Sequence, residues 1–184
     1  MSKARRRTKY PKAKPGAKIL AHPASRTLAT AAGSGWLTLR FDGGVDRNGK
    51  PDAAGKWAFI ASFQTGGGRL VSDSGPAEGE PVTVNTCEWE GLWNGLVGVH
   101  TYAPHLRRHG IGLPGLLIEG DSDLVVSQLT GRWGCSSDVL RGWRDRCLDL
   151  LAELYAPWHA RWIPREHNAE CDALTKRRPT RAED

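Results

Sequence analysis

The chain has 184 residues, 39% of them hydrophobic, which suits one globular domain with a core of its own. No stretch approaches the length of a membrane span, and no apolar run follows the basic N-terminus, so neither a spanning segment nor a secretory signal is expected. The net charge of +6 is uneven: residues 1–35 hold nine of the 26 Lys and Arg and none of the 20 acids, leaving a body of net −3.

Residues 1–34 read as a basic arm, interrupted by Pro11, Pro15 and Pro23. Such an arm is expected to be disordered when free and to bind a polyanion, here nucleic acid. Residues 35–178 read as the folded domain and 179–184 as a tail. Cys87, Cys135, Cys147 and Cys171 form no CxxC pair, which suits reduced thiols in a cytoplasmic protein and gives no zinc signature.

Trp36–Gly44, WLTLRFDGG, is the first predicted strand: Leu37, Leu39 and Phe41 alternate with Thr38, Arg40 and Asp42. Asp42 stands at its end, before two glycines that allow a tight turn or close approach of a large ligand. Taken alone, this stretch reads more readily as an Asp-Gly hairpin turn. Lys56–Thr65 and Arg69–Ser74 follow as strands on connections too short for helices, an antiparallel meander.

Thr83 to about His100 has helical periodicity, with Leu92, Leu96 and Val99 on the inward stripe. Glu88 lies four residues before Leu92 on that stripe, whereas Glu90 points off it. Residues 103–114, with two prolines and two glycines, read as a loop. Leu116–Gly120 is an apolar strand ending at Asp121, and Asp121–Leu129 reads as a helix that Asp121 could cap. This strand must run parallel to its neighbour, and ligands collect at the carboxyl ends of such strands. Ser137 to about Leu154 is the most periodic helix, Trp158–Ile163 the last strand, and PREHNAECDALTK a short helix with Asn168 and Asp172 on one face. The expected architecture is α/β, a mixed five-stranded sheet flanked by helices.

Asp42, Glu88, Asp121 and Asp172 each sit at an element boundary or on an inward face. Carboxylates gathered at one sheet edge repel, and a shared divalent cation relieves that cost. Hard oxygen donors without His or Cys select Mg²⁺ or Mn²⁺, as in two-metal phosphoryl-transfer sites.

Over about residues 36–176 the chain resembles the type 1 ribonucleases H, through FDGG at Asp42, TVNTCEWEGL at Glu88, IEGDSDLVVSQL at Asp121 and IPREHNAECDALTK at Asp172. The resemblance implies the ribonuclease H-like sheet order 3-2-1-4-5. It implies a monomeric endoribonuclease that cleaves the RNA strand of RNA–DNA hybrids, leaving 5′-phosphate and 3′-hydroxyl ends. It implies two Mg²⁺ ions, replaceable by Mn²⁺, with Asp42 bridging, Glu88 and Asp121 completing one site and Asp172 the other. Glu88 would also touch the 2′-hydroxyl beside the cut. Asn85 matches an RNA-strand contact, and Asn48 and Thr83 match positions near the DNA-strand phosphate. Gly43 is expected at the substrate. Val84 departs from the family, which often has asparagine there. The segment before the last acid is short, with His167 as its candidate proton shuttle. GRWGCSS joins two helices without a basic handle, leaving Arg132 and Trp133 as groove contacts. A catalytically inactive hybrid- or double-stranded-RNA-binding domain is the alternative. A 3′–5′ exonuclease would call for Asp-x-Glu where Asp42 is followed by Gly43 and Gly44.

Overall fold

The computed structural model describes residues 36–47, 52–64, 68–110, 112–113 and 115–176. The basic arm, Asn48 and the expected tail lie outside the described residues. The elements are β1 (Leu37–Asp46), β2 (Ala54–Phe63), β3 (Arg69–Pro76), α1 (Val84–Arg108), β4 (Leu116–Gly120), α2 (Asp123–Leu129), α3 (Asp138–Glu153), β5 (Trp158–Trp162), a 3₁₀ turn (Arg165–Asn168) and α4 (Ala169–Thr175). The sheet order is β3-β2-β1-β4-β5, with β1–β2 and β2–β3 antiparallel and β1–β4 and β4–β5 parallel. This is the expected mixed sheet in the expected order.

The two faces of β1 have different neighbours. Leu37, Leu39 and Phe41 enter the main core with Trp89, Leu92, Leu96 and Val99 of α1, Leu116 and Ile118 of β4, and Cys147 and Leu151 of α3. On the opposite face Cys171 and Leu174 of α4 pack on Ala58 and Ile60 of β2. Asp42 therefore lies under α4 and is 4% exposed.

Three boundaries differ from expectation. First, β1 does not turn after Asp42 but pairs with β2 as far as Asp46. Gly43 is needed by the helix instead: a Cβ there would stand 2.2 Å from Glu88 N and 2.3 Å from the Cys87 carbonyl carbon. On α1 itself, three residues after Glu88, a Cβ on Gly91 would come within 2.7 Å of Asp42 O. The two glycines let the α1 backbone lie directly on β1, and that contact carries Glu88 to Asp42.

Second, α1 runs through Pro104 to Arg108, where a loop was expected. Proline inside a helix costs about 3 kcal/mol, and burial of a leucine side chain returns about 1.5–3 kcal/mol. Ala103 and Leu106 are both buried and extend the stripe of Leu92, Leu96 and Val99, so packing outweighs propensity. Third, α2 begins at Asp123, because Ser122 is the N-cap and accepts from Val125 N. Asp121 is thereby left out of the helix and of its cap.

Opposite the main core, Glu119 is 2% exposed and sits between two arginines on neighbouring strands. Arg40 Nε of β1 and Arg161 Nε of β5 each donate to it at 2.9 Å. The ladder sets this row, pairing Arg40 with Glu119 and Glu119 with Arg161. It ties together β1 and β4, which carry Asp42 and Asp121, and the neighbouring β5.

Candidate active site

Asp42 extends from the middle of β1, Glu88 from the first turns of α1, and Asp121 from the end of β4. One carboxylate oxygen from each lies within 4.8 Å of the others. Asp42 and Glu88 are buried, and Asp121 is partly exposed. The trio thus has two walls and one open side.

The electrostatics follow from that packing. Burial first, then the charges of Asp42 and Asp121, hold the Glu88 carboxyl well above the usual carboxylate range. Arg165 and the Gly43 N–H pull it the other way without prevailing. Burial likewise raises Asp42, with Asp121 and Asp172 adding to it and a Thr175 hydrogen bond opposing it. Glu88 Oε2 is buried and has no hydrogen-bond partner. A buried, orphaned carboxylate oxygen facing two further carboxylates is costly in the absence of a cation. The donor set is all oxygen, which fits a hard divalent ion such as Mg²⁺ or Mn²⁺.

Asp172 is not part of the trio. Its carboxylate is 14% exposed and is ion-paired with Arg165 and Lys176. Burial works to raise it, but hydrogen bonds from Lys176 and Arg165 outweigh burial and leave it below the ordinary value. It is nonetheless near enough to push Asp42 upward.

The other expected site residues divide by position. Thr83 is the N-cap of α1: its hydroxyl accepts from Thr86 N at 3.1 Å, and Thr86 Oγ1 accepts from Thr83 N at 2.9 Å. Asn85 is half-buried in the following turn. Trp133 is 49% exposed in the turn after α2. His167 is exposed in the 3₁₀ turn and does not join the acid trio. Glu90 does not point outward as expected: it is buried and accepts from Glu78 N at 2.9 Å and Gly79 N at 3.1 Å. It pins the β3–α1 loop that leads into Thr83 and Asn85.

Four contacts to the acids were not legible in the sequence. Asn168 Nδ2 donates to Asp121 Oδ1 at 2.7 Å and to Phe41 O at 2.8 Å, joining the 3₁₀ turn before α4 to β1 and to the residue that follows β4. Thr175 Oγ1 donates to Asp42 Oδ2 at 2.8 Å. Arg165 and Lys176 hold Asp172. The shared face of Asn168 and Asp172 was visible as an i, i+4 spacing, but not the partners it would meet.

A family model described as reverse transcriptase-like matches residues 40–178. A ribonuclease HI of Halobacterium salinarum is 31% identical over 134 residues, covering 73% of this chain and 59% of that protein. The chain belongs to the type 1 ribonuclease H family. An uncharacterized Bacillus subtilis protein is 27% identical over 141 residues, covering 77% of the chain and 58% of that protein. The chain therefore spans about three-fifths of the length of these two curated relatives. The crystal structure of RNase H1 from Halobacterium salinarum superposes with a TM-score of 0.61 at 28% identity, over 76% of this chain and 94% of that one. The fold is shared at lower identity as well. LC11-RNase H1, solved in complex with an RNA/DNA hybrid, gives a TM-score of 0.64 at 21% identity, covering 75% of this chain and 92% of that one. Among the described residues, no helix is long and apolar enough to cross a membrane.

Proposed function

We propose that this chain is an endoribonuclease that hydrolyses the RNA strand of RNA–DNA hybrids with divalent metal ions. The observation that carries this is the trio Asp42, Glu88 and Asp121, its first two acids buried and Glu88 Oε2 orphaned, in a chain of the ribonuclease H family. A domain that only bound nucleic acid would gain nothing from clustered carboxylates beside phosphates.

Asp42, Glu88 and Asp121 would hold one Mg²⁺ ion, with Mn²⁺ as a substitute. Asp42 and Asp172 would hold the second, in place of the ion pairs that Asp172 makes with Arg165 and Lys176. Bound divalent ions supply a nucleophilic water at neutral pH and charge stabilisation at the scissile phosphate. The protein's own part is to aim the acids and to limit the cost of ionising them. Asn168 holds Asp121, and Gly43 N–H donates to Glu88. Arg165 lowers the cost of ionising both Asp42 and Glu88. Glu88 is the acid set to meet the RNA 2′-hydroxyl, the group that distinguishes RNA from DNA.

Substrate contacts are assigned to Gly43, Thr83, Asn85 and Trp133, to Asn48 outside the described residues, and to His167 as a proton shuttle. Thr83 would act through backbone and methyl, because its hydroxyl caps α1. Trp133 offers an exposed aromatic plane. The basic arm would anchor the hybrid, and the products would carry 5′-phosphate and 3′-hydroxyl ends. The protein would act as a cytoplasmic monomer.

A substrate panel with Mg²⁺ tests this reading: labelled hybrid, single-stranded and double-stranded RNA, and the matching DNAs. The expected result is internal cleavage of RNA in the hybrid alone. Hybrid binding without cleavage in either Mg²⁺ or Mn²⁺ would instead establish an inactive binding domain.

A further inference from the structure

We infer that Thr175 is a positioning residue for metal binding: its hydroxyl holds the Asp42 carboxylate toward Glu88 and Asp121. The inference rests on the metal-site reading above. The contact is short and sheltered, with Thr175 Oγ1 2.8 Å from Asp42 Oδ2, Thr175 7% exposed and Asp42 4% exposed.

Thr175 Oγ1 also lies 2.8 Å from the carbonyl of Asp172, the usual back-bond of a helical threonine. A hydroxyl has one proton and two acceptors are in reach. A hydrogen bond to a charged carboxylate is roughly twice as strong as one to a neutral carbonyl, so the proton goes to Asp42. The bond spans the face on which α4 covers the sheet, and it fixes a side chain that other forces would turn away. Asp121, Glu88 and Asp172 all repel Asp42. Without the hydroxyl, Asp42 can relieve that repulsion by rotating, and a cation must then bring it back. Thr175 touches neither the scissile phosphate nor a cation in this account; it acts through Asp42.

Thr175→Val keeps the side-chain shape and removes the hydroxyl, whereas Thr175→Ser keeps the hydroxyl. Mn²⁺ binding to the full-length, metal-free protein is measured without substrate, by calorimetry or by loss of the free-ion magnetic resonance signal. Asp42→Asn serves as the site control. Loss of a residue that orients a metal ligand typically weakens binding about 10–100-fold, and that is the expected effect of Thr175→Val. Thr175→Ser should bind within about threefold of wild type. With hybrid, KM should be unchanged, and the kcat deficit of Thr175→Val should shrink as metal is raised. Should Thr175→Val not fold, Thr175→Ala replaces it with the same expectation.

Wild-type affinity in a folded valine or alanine variant would overturn the inference. So would a serine variant as weak as the valine one, because shape and not the hydroxyl would then matter. Wild-type protein whose Mn²⁺ binding is absent, or is untouched by Asp42→Asn, would reject the metal site itself and this inference with it.

Discussion

Replacing Glu88 with glutamine should abolish activity and yet stabilise the metal-free protein. Glu88 is 7% exposed, one oxygen has no partner, and Asp42 and Asp121 face it. Glutamine keeps an acceptor for the Gly43 N–H and turns an NH₂ donor toward the two remaining acids. Removing a buried unsatisfied charged oxygen is worth about 1–3 kcal/mol, which in a chain of this size raises Tm by about 2–10 °C. The effect depends on pH in a fixed direction. The folded protein holds the Glu88 proton more tightly than the unfolded chain, whose ordinary value is 4.5. The stability that comes from the protonated form is complete below that value and is lost as pH rises through the raised folded one. The variant's advantage should therefore be small near about pH 4 and grow toward about pH 8. Scanning calorimetry in chelator, repeated with excess Mg²⁺, reads this directly. Added metal should close the gap by stabilising wild type alone. A variant equal to or less stable than wild type in chelator near pH 8, with no pH trend in the difference, would refute the reasoning.

Four further outcomes can be measured, the first three from the same geometry. Gly43→Ala drives a Cβ into the α1 backbone, 2.2 Å from Glu88 N, and should cost about 3 kcal/mol or more in denaturant unfolding. Glu119→Ala strands Arg40 and Arg161, which are 38% and 52% exposed and can rehydrate, so its cost should be about 2 kcal/mol. Asp138→Ala, at a pair whose acid is 92% exposed, should change stability by less than about 0.5 kcal/mol. A protein beginning at Ser34 should keep hybrid cleavage but bind more weakly with a shallower salt dependence; equal salt slopes would exclude a nucleic-acid role for the arm.

Much of the candidate site's placement could be read from the sequence because its parts are local patterns. The alternation of Leu37, Leu39 and Phe41 fixes which face Asp42 takes, and the stripe through Leu92, Leu96 and Val99 turns Glu88 inward. The sheet order came from the resemblance, and the register observed in the ladder agrees with it. What remained hidden depends on contacts between distant segments. Thr175 meets Asp42 across 133 positions, and Asn168 meets Phe41 across 127. No spacing rule encodes such pairs. The proline at 104 argues for a loop until the buried Ala103 and Leu106 are seen to hold the helix. The pair of glycines after Asp42 looks like a turn because the helix that lies against Gly43 is 40-odd residues away. Asp172 reads as a fourth ligand by motif, yet Arg165 and Lys176 are ion-paired with it.

The central claim is that the acid trio performs hybrid hydrolysis. It is tested most directly by comparing wild type with Asp42→Asn on a labelled RNA–DNA hybrid in Mg²⁺, with hybrid affinity measured in parallel. The account predicts cleavage by wild type and none by the variant, at nearly equal affinity for the hybrid. Undiminished cleavage by folded Asp42→Asn would contradict it.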